Sequence, residues 1–241
     1  AHELNKRDPI DCADIVVPNY SLEKWISLKI AQINGISANL RFITLEKAIY
    51  EGLKDKLKGR RFDLLKKETI QCLLVEILRK KQKSSDDLWL PVRNYLTPNF
   101  FLRPQAIEQR LYQLSKRLTY LFLEYEFSRN EELISSWIEG KNVFESDSNC
   151  LESWQKTLWI ELFGSEGKVT KHNKNVRESM ELESQPELFT LTQLYRICHS
   201  NSDFDNTKNF SQYKNTKRIP LHVFGISYLS QFHQRALTEQ L

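Results

Sequence analysis

The residues that come nearest to a phosphate-binding loop are Gly164, Ser165, Glu166, Gly167 and Lys168. A P-loop needs G-x-x-x-x-G-K-[ST], so that glycine backbone N–H groups approach phosphate, lysine neutralises it and the hydroxyl holds magnesium. Here the spacing is wrong, Val169 follows the lysine and Glu166 would repel phosphate. Metal-dependent nuclease chemistry needs converging carboxylates. The tight acidic pairs are Asp203 with Asp205, in a polar stretch, and Glu124 with Glu126, flanking Tyr125 on an amphipathic pattern. Both pairs are expected to be solvated. The five histidines, His2, His172, His199, His222 and His233, lack ligand spacing such as H-E-x-x-H, and no Ser/His/Asp grouping stands out. The residues point to a chain with no active site of its own.

What remains is charge and aromaticity. Between Lys54 and Lys83 there are eleven basic residues (Lys54, Lys56, Lys58, Arg60, Arg61, Lys66, Lys67, Arg79, Lys80, Lys81 and Lys83) against four acidic ones, whereas the whole chain carries a formal charge of only +4. A phosphate-facing surface has this composition, and so does a solvated helical face. Five tryptophans and nine tyrosines are potential stacking groups for single-stranded DNA. Trp25, Trp154 and Trp159 sit on apolar patterns and are expected in the core. Tyr20 follows a strand end and Tyr50 ends a helix, positions from which a ring can face a channel.

The elements that would hold these groups begin with a short Val/Ile-rich strand at Asp14 to Val17, stopped by Pro18. Leu22, Trp25, Ile26, Ile30 and Ile33 then recur at helical spacing up to a stop at Asn34 and Gly35. A second strand is expected over Ser37 to Ile43, and Thr44 can cap the helix after it. This alternation points to a parallel α/β unit. From Arg61 to Tyr125 the pattern is helical. Phe62, Leu65, Cys72, Leu73 and Ile77 form one apolar face, and Ile107, Leu111, Leu114, Leu118, Leu121, Phe122 and Tyr125 form a longer one. Ser128 with Glu131 reads as a capping box for a helix ending near Trp137, and Leu151 to Phe163 as a further helix. The stretches Gly164 to Pro186 and Ser200 to Lys217 read as loops, with a helix between them over Thr190 to His199. Strand character returns at Ile219 to Phe224, rejoining the same sheet, and a helix from Leu229 closes the chain. The domain reading is residues 1–58 as the first part of an α/β core, 59–188 as an all-helical insertion and 189–241 as the return to the core.

With 241 residues, the chain needs no staple to build a core. Cys12, Cys72, Cys150 and Cys198 are far apart and form no C-x-x-C pair, as in a reducing, cytoplasmic setting. Neither a membrane span nor a signal peptide is indicated.

The run from Trp25 to Tyr50, with the strand before it, resembles the amino-terminal region of the RecC family, most specifically at Gly35, Ile36, Ala38, Asn39 and Phe42. Colinear likenesses follow at Leu114 to Phe122 and on through Tyr125 to Trp137, at Trp154 to Leu158, at Leu194 and Tyr195, and at Leu221 to Ser227. The resemblance implies a superfamily 1, RecA-like helicase core that has lost its ATP-binding motifs and carries a helical insertion. It implies a non-catalytic subunit, beginning here inside the family's first helix, of an exodeoxyribonuclease V-type helicase-nuclease in double-strand break repair and homologous recombination. RecB-like and RecD-like partner chains would use ATP and Mg2+, with no cofactor in this chain. Single-stranded and duplex-end DNA are the implied ligands, the 3′-ended strand being guided through a channel where a hotspot sequence can be read. By position, channel residues carry over onto Pro18, Tyr20, Lys24, Thr44, Tyr50, Tyr120, Leu121 and Leu123. Lys54, Lys56, Lys58, Arg60 and Arg61 are the candidate phosphate contacts. The best-known members have small polar side chains at the first group and carboxylates on the insertion helix, so Tyr120 and Leu123 depart from the hotspot-reading chemistry. An AddB-type helicase-nuclease subunit and a protein-interaction scaffold without DNA contact are the alternatives.

Overall fold

The computed structural model describes residues 12–57, 61–98, 103–144, 150–178, 185–199 and 221–240. The chain divides into two compact units, Ala1–Lys58 with Gln193–Leu241, and Gly59–Thr192.

The first unit is built on a three-stranded parallel sheet in the order β2-β1-β5, from β1 (Ala13–Val16), β2 (Leu40–Ile43) and β5 (Leu221–Val223). The late strand rejoins the early sheet as expected, pairing Asp14 with Leu221 and Val16 with Val223. Helix α1 (Tyr20–Asn34) links β1 to β2, starting on an Asn19 side-chain cap and ending at Gly35 in the left-handed region (φ 79°). Helix α2 (Leu45–Lys56) follows β2, its first turn capped by Thr44. Alternation along β1 puts Ile15 and Val17 on one face, packed with Ile26, Leu22 and Ile30 of α1. A buried Val16 faces the other side. Arg41, opposite Asp14 in the register, donates to both its carboxylate oxygens (2.7 and 2.5 Å) and also meets Glu51 of α2 at 2.8 Å. Helix α10 (Gln231–Gln240) packs on α2. Its Phe232 meets Tyr195 of α9 (Leu191–His199) edge to face at 5.3 Å.

One expectation about α1 fails. The sheet is narrow and covers a single stripe of the helix, Leu22, Ile26 and Ile30, spaced four residues apart. Trp25 and Ile33 lie off that stripe and are 51% and 75% exposed.

The second unit is helical around a large apolar core: α3 (Lys67–Gln82), a 3-10 turn at Asp87–Trp89, α4 (Leu90–Leu96), α5 (Pro104–Ser128), α6 (Ser135–Ile138), α7 (Cys150–Phe163) and α8 (Lys168–Glu178). It is not all-helical. Phe62–Leu64 and Glu187–Phe189, numbered β3 and β4, form a two-stranded parallel sheet. At three residues each, the strands are too short for any period to show in sequence. The inward face of α3 is Ile70, Leu74, Ile77 and Leu78, rather than the face through Cys72, which is exposed. Ser128 does not cap a new helix; it ends α5, its hydroxyl donating back to Glu124 O at 2.7 Å. A π turn, Asn130–Ile134, leads into α6. Part of the stretch read as a loop after Gly164 is helix α8, a polar helix with Val169, Asn173 and Val176 on its buried face.

Glu152, in the first turn of α7, organises one corner of this unit. Its carboxylate accepts from the Trp137 indole N–H (3.0 Å) and from the backbone N–H groups of Val143 (2.8 Å) and Phe144 (3.0 Å). Burial raises its carboxyl pKa, and these bonds outweigh it, leaving the group below its ordinary value.

Candidate nucleic-acid interface

In the first unit the sequence-predicted positions gather where the parallel strands end. The C-terminal edge of β1 is a switch point, because β2 lies on one side and β5 on the other; such edges are where open α/β sheets usually hold ligands. Pairing extends past the strands: Val17 N donates to Ile43 O (3.0 Å) and Phe224 N donates to Val16 O (3.0 Å). Pro18, Tyr20 and Lys24 follow β1 and are exposed, with Lys24 Nζ 4.9 Å from the centre of the Tyr20 ring. Thr44 follows β2, but its hydroxyl is engaged in capping, accepting from Lys47 N at 3.3 Å. The edge therefore offers two helix N-termini and one lysine–tyrosine pair, all favourable to an anion with an aromatic ring. After β5, Gly225 adopts φ 71°, and a β-carbon there would lie 2.3 Å from Leu22 Cδ2. The neighbouring Phe224 stacks on Trp25 at 6.3 Å, closing the side of this edge.

Tyr50 is half-buried on α2; Lys54, one turn on, is exposed, and Lys56 is half-buried. Near Lys56, burial pushes the Cys198 thiol up to about 11, against a smaller downward pull from the lysine. Lys58 and Arg60 lie outside the described residues.

In the second unit, Arg61 is exposed just before β3. Tyr120 is 49% exposed on α5. Leu121 and Leu123 are half-buried, packed against the hydrophobic core. The basic run divides in two. Arg79 pairs with Glu108 (2.7 Å), Lys80 with Glu76 (2.9 Å) and Lys81 with Glu161, so these cations are matched within the fold. Lys67 instead places Nζ 5.2 Å from the centre of the Tyr120 ring.

The other residues singled out for chemistry have structural duties. Gly164 and Gly167 form a hydrogen-bonded turn between α7 and α8, Gly167 N donating to Gly164 O at 2.9 Å. Glu166 meets Lys174 at 3.1 Å, and Lys168 meets Glu76 at 2.6 Å. With hydrogen bonds from Lys168 and Lys80, the Glu76 carboxyl is lowered to about 2. Of the pair around Tyr125, Glu124 is exposed, but Glu126 is not solvated as expected; it is 1% exposed. It accepts from Thr190 Oγ1 (2.6 Å) and from Thr192 Oγ1. No local pattern marks this pairing, because these hydroxyls lie more than 60 residues further along the chain. Asp203, Asp205 and His2 lie outside the described residues. Among the described residues, no three His, Cys, Asp or Glu side chains converge as metal donors would. Ser230 and His233 do meet, Oγ to Nδ1 at 2.9 Å, as a local contact at the start of α10 in which Ser230 Oγ also accepts from His233 N at 3.3 Å. No helix among the described residues is long and apolar enough to cross a membrane.

The chain is 27% identical over 164 residues to the RecBCD enzyme subunit RecC of Haemophilus influenzae, an alignment covering 66% of this chain and 14% of that protein. A family model described as the RecC N-terminal domain matches residues 1–240, and the chain belongs to that family.

Proposed function

We propose that the chain is the non-catalytic, DNA-handling amino-terminal region of a RecC-type subunit in a RecBCD-type helicase-nuclease that processes broken DNA ends. The observation that carries this reading is the family match over residues 1–240. The sheet supports it: three parallel strands presenting Pro18, Tyr20 and Lys24 at a switch point are what a RecA-like framework would retain after losing its phosphate loop. ATP hydrolysis and Mg2+ chemistry belong to RecB-like and RecD-like partner chains. The role of this chain is passive. Lys24, Lys54 and Lys56 contact phosphates of the 3′-ended strand, while Tyr20 and Tyr50 offer rings to its bases. With leucine and tyrosine at positions 123 and 120, where the best-known members carry carboxylates, recognition of a hotspot in this chain differs from theirs.

The test is photo-crosslinking in the assembled complex. A benzoyl-phenylalanine probe at position 20, whose side chain is exposed, is expected to link to the 3′-ended strand of a duplex end with an unpaired tail. Links to protein alone, with DNA bound, would remove the strand-guiding role from this edge.

A further inference from the structure

Helices α3 and α5 run antiparallel along a shared seam, since Arg79 meets Glu108, Gln71 Nε2 donates to Tyr112 O (3.5 Å) and Lys67 meets Tyr120. At the end of the seam where α3 begins, the charges are unmatched. Among the described residues, Lys66, Lys67, Lys116 and Arg117 have no carboxylate within ion-pair distance, although Glu68 and Glu124 lie close by in sequence. Tyr112, Lys116 and Tyr120 fall four residues apart on one line of α5, with Arg117 beside them, and all four are exposed. Leu111, Ser115, Leu118, Thr119 and Phe122 take the inward face. No acidic residue occurs between Glu108 and Glu124.

The two tyrosines are 57% and 49% exposed and eight residues apart, about 12 Å along the helix axis. An ordinary solvated face looks different in this same unit, where Lys80 sits beside Glu76 and Lys174 beside Glu166. Four unmatched cations repel one another, and two half-exposed rings keep apolar faces in water. A strand carrying phosphates and unpaired bases relieves both costs at once. A duplex relieves only the first, because its base faces are already stacked.

We propose that this row of α5, with the first turn of α3, is a contact surface for single-stranded nucleic acid. Lys66, Lys67, Lys116 and Arg117 hold phosphates, and Tyr112 and Tyr120 take bases. The inference rests on the DNA-handling reading but, apart from Tyr120, places contact on residues outside the positions carried over from the family.

Fluorescence anisotropy of a labelled oligothymidine bound to the full chain, measured across salt concentrations, tests it. The triple variant Lys67→Ala, Lys116→Ala, Arg117→Ala is expected to reduce the slope of log K against log salt by about 2, from about 0.7 per lost single-strand phosphate contact. Tyr112→Leu and Tyr120→Leu are each expected to weaken binding about fivefold or more. Arg79→Ala with Lys80→Ala, from the ion-paired half, should leave the slope unchanged. Circular dichroism confirms that each variant is folded. Salt-dependent binding by the unaltered chain with the slope retained in the triple variant overturns this surface and leaves the strand-guiding reading standing. No salt-dependent binding by the unaltered chain overturns this surface too, while the crosslinking at position 20 decides the parent reading separately. Equal competition by a blunt duplex, or loss of partner assembly without loss of DNA affinity, also overturns it.

Discussion

Replacing Gly225 by alanine tests whether the end of β5 is held in place by a glycine that nothing else can replace. Two costs can be separated. The first is the left-handed backbone (φ 71°), worth about 1 kcal/mol for a residue with a β-carbon. The second is steric: the new β-carbon would stand 2.3 Å from Leu22 Cδ2, whereas ordinary contact begins at 3.4 Å, so Leu22 must move by roughly the difference, 3.4 − 2.3 Å. Leu22 is half-buried against Ile15, Val17 and Ile26, and displacing it costs about 1–2 kcal/mol in rotamer strain and lost packing. The sum is about 2–3 kcal/mol. Gly35 is the internal control, because it has φ 79° but nothing within 4 Å of a β-carbon. Gly35→Ala therefore incurs only the first cost. Native-state hydrogen exchange of peptides covering β1 and β5 reads local opening directly. At about 1.4 kcal/mol per tenfold change, protection should fall about 30- to 140-fold in Gly225→Ala and about fivefold in Gly35→Ala. Adding Leu22→Ala to Gly225→Ala removes the clashing atom, and the double variant should be at least about 1 kcal/mol better than the sum of the singles. Equal losses at the two glycines, or strict additivity with Leu22→Ala, would refute the steric argument.

Glu152→Gln keeps an acceptor but removes the charge held by Trp137, Val143 and Phe144; urea unfolding at pH 7 should show a loss of about 1–2 kcal/mol. Because the folded carboxyl lies below its ordinary value, this stabilisation is complete above the unfolded-state pKa of about 4.3 and disappears as pH falls through the lower folded value, so the gap between wild type and variant should close in acid. Leu158→Ala, at a fully buried position in the second unit, should cost about 3 kcal/mol, seen as a fall in Tm of roughly 10 °C by calorimetry. Alkylation with iodoacetamide at pH 8, followed by peptide mass spectrometry, should modify the exposed Cys72 rapidly and spare Cys198, whose thiol is pushed up to about 11.

What the sequence made legible follows from how much signal each element carries. Buried parallel strands are short Val/Ile runs with hard stops, so Asp14 to Val17 and the late strand before Gly225 could be found and assigned to one sheet. Gly35 was readable because a left-handed stop favours glycine. Where a residue's environment depends on a distant partner, the pattern failed. Trp25 and Ile33 carry helical spacing but exceed the width of a three-stranded sheet. Glu126 is held in the core by hydroxyls from the far end of the unit.

The basic run between Lys54 and Lys83 shows the same limit and its remedy. Counting charges along the chain cannot separate a phosphate-facing surface from a solvated face, because the answer lies in which carboxylates arrive from other helices. Glu108 of α5 and Glu161 of α7 neutralise Arg79 and Lys81, and neither is near them in sequence. Once those partners are subtracted, Lys67, at the start of α3 beside Tyr120, is the cation of that helix with no ion pair among the described residues. The interval from Glu108 to Glu124 was visible in the sequence as an acid-free stretch of amphipathic helix. It gains weight when Lys66 and Lys67 join it from the start of α3 with no ion pair among the described residues. Unmatched charge beside exposed rings, rather than net charge, is therefore the feature on which the proposed nucleic-acid surface of this chain rests.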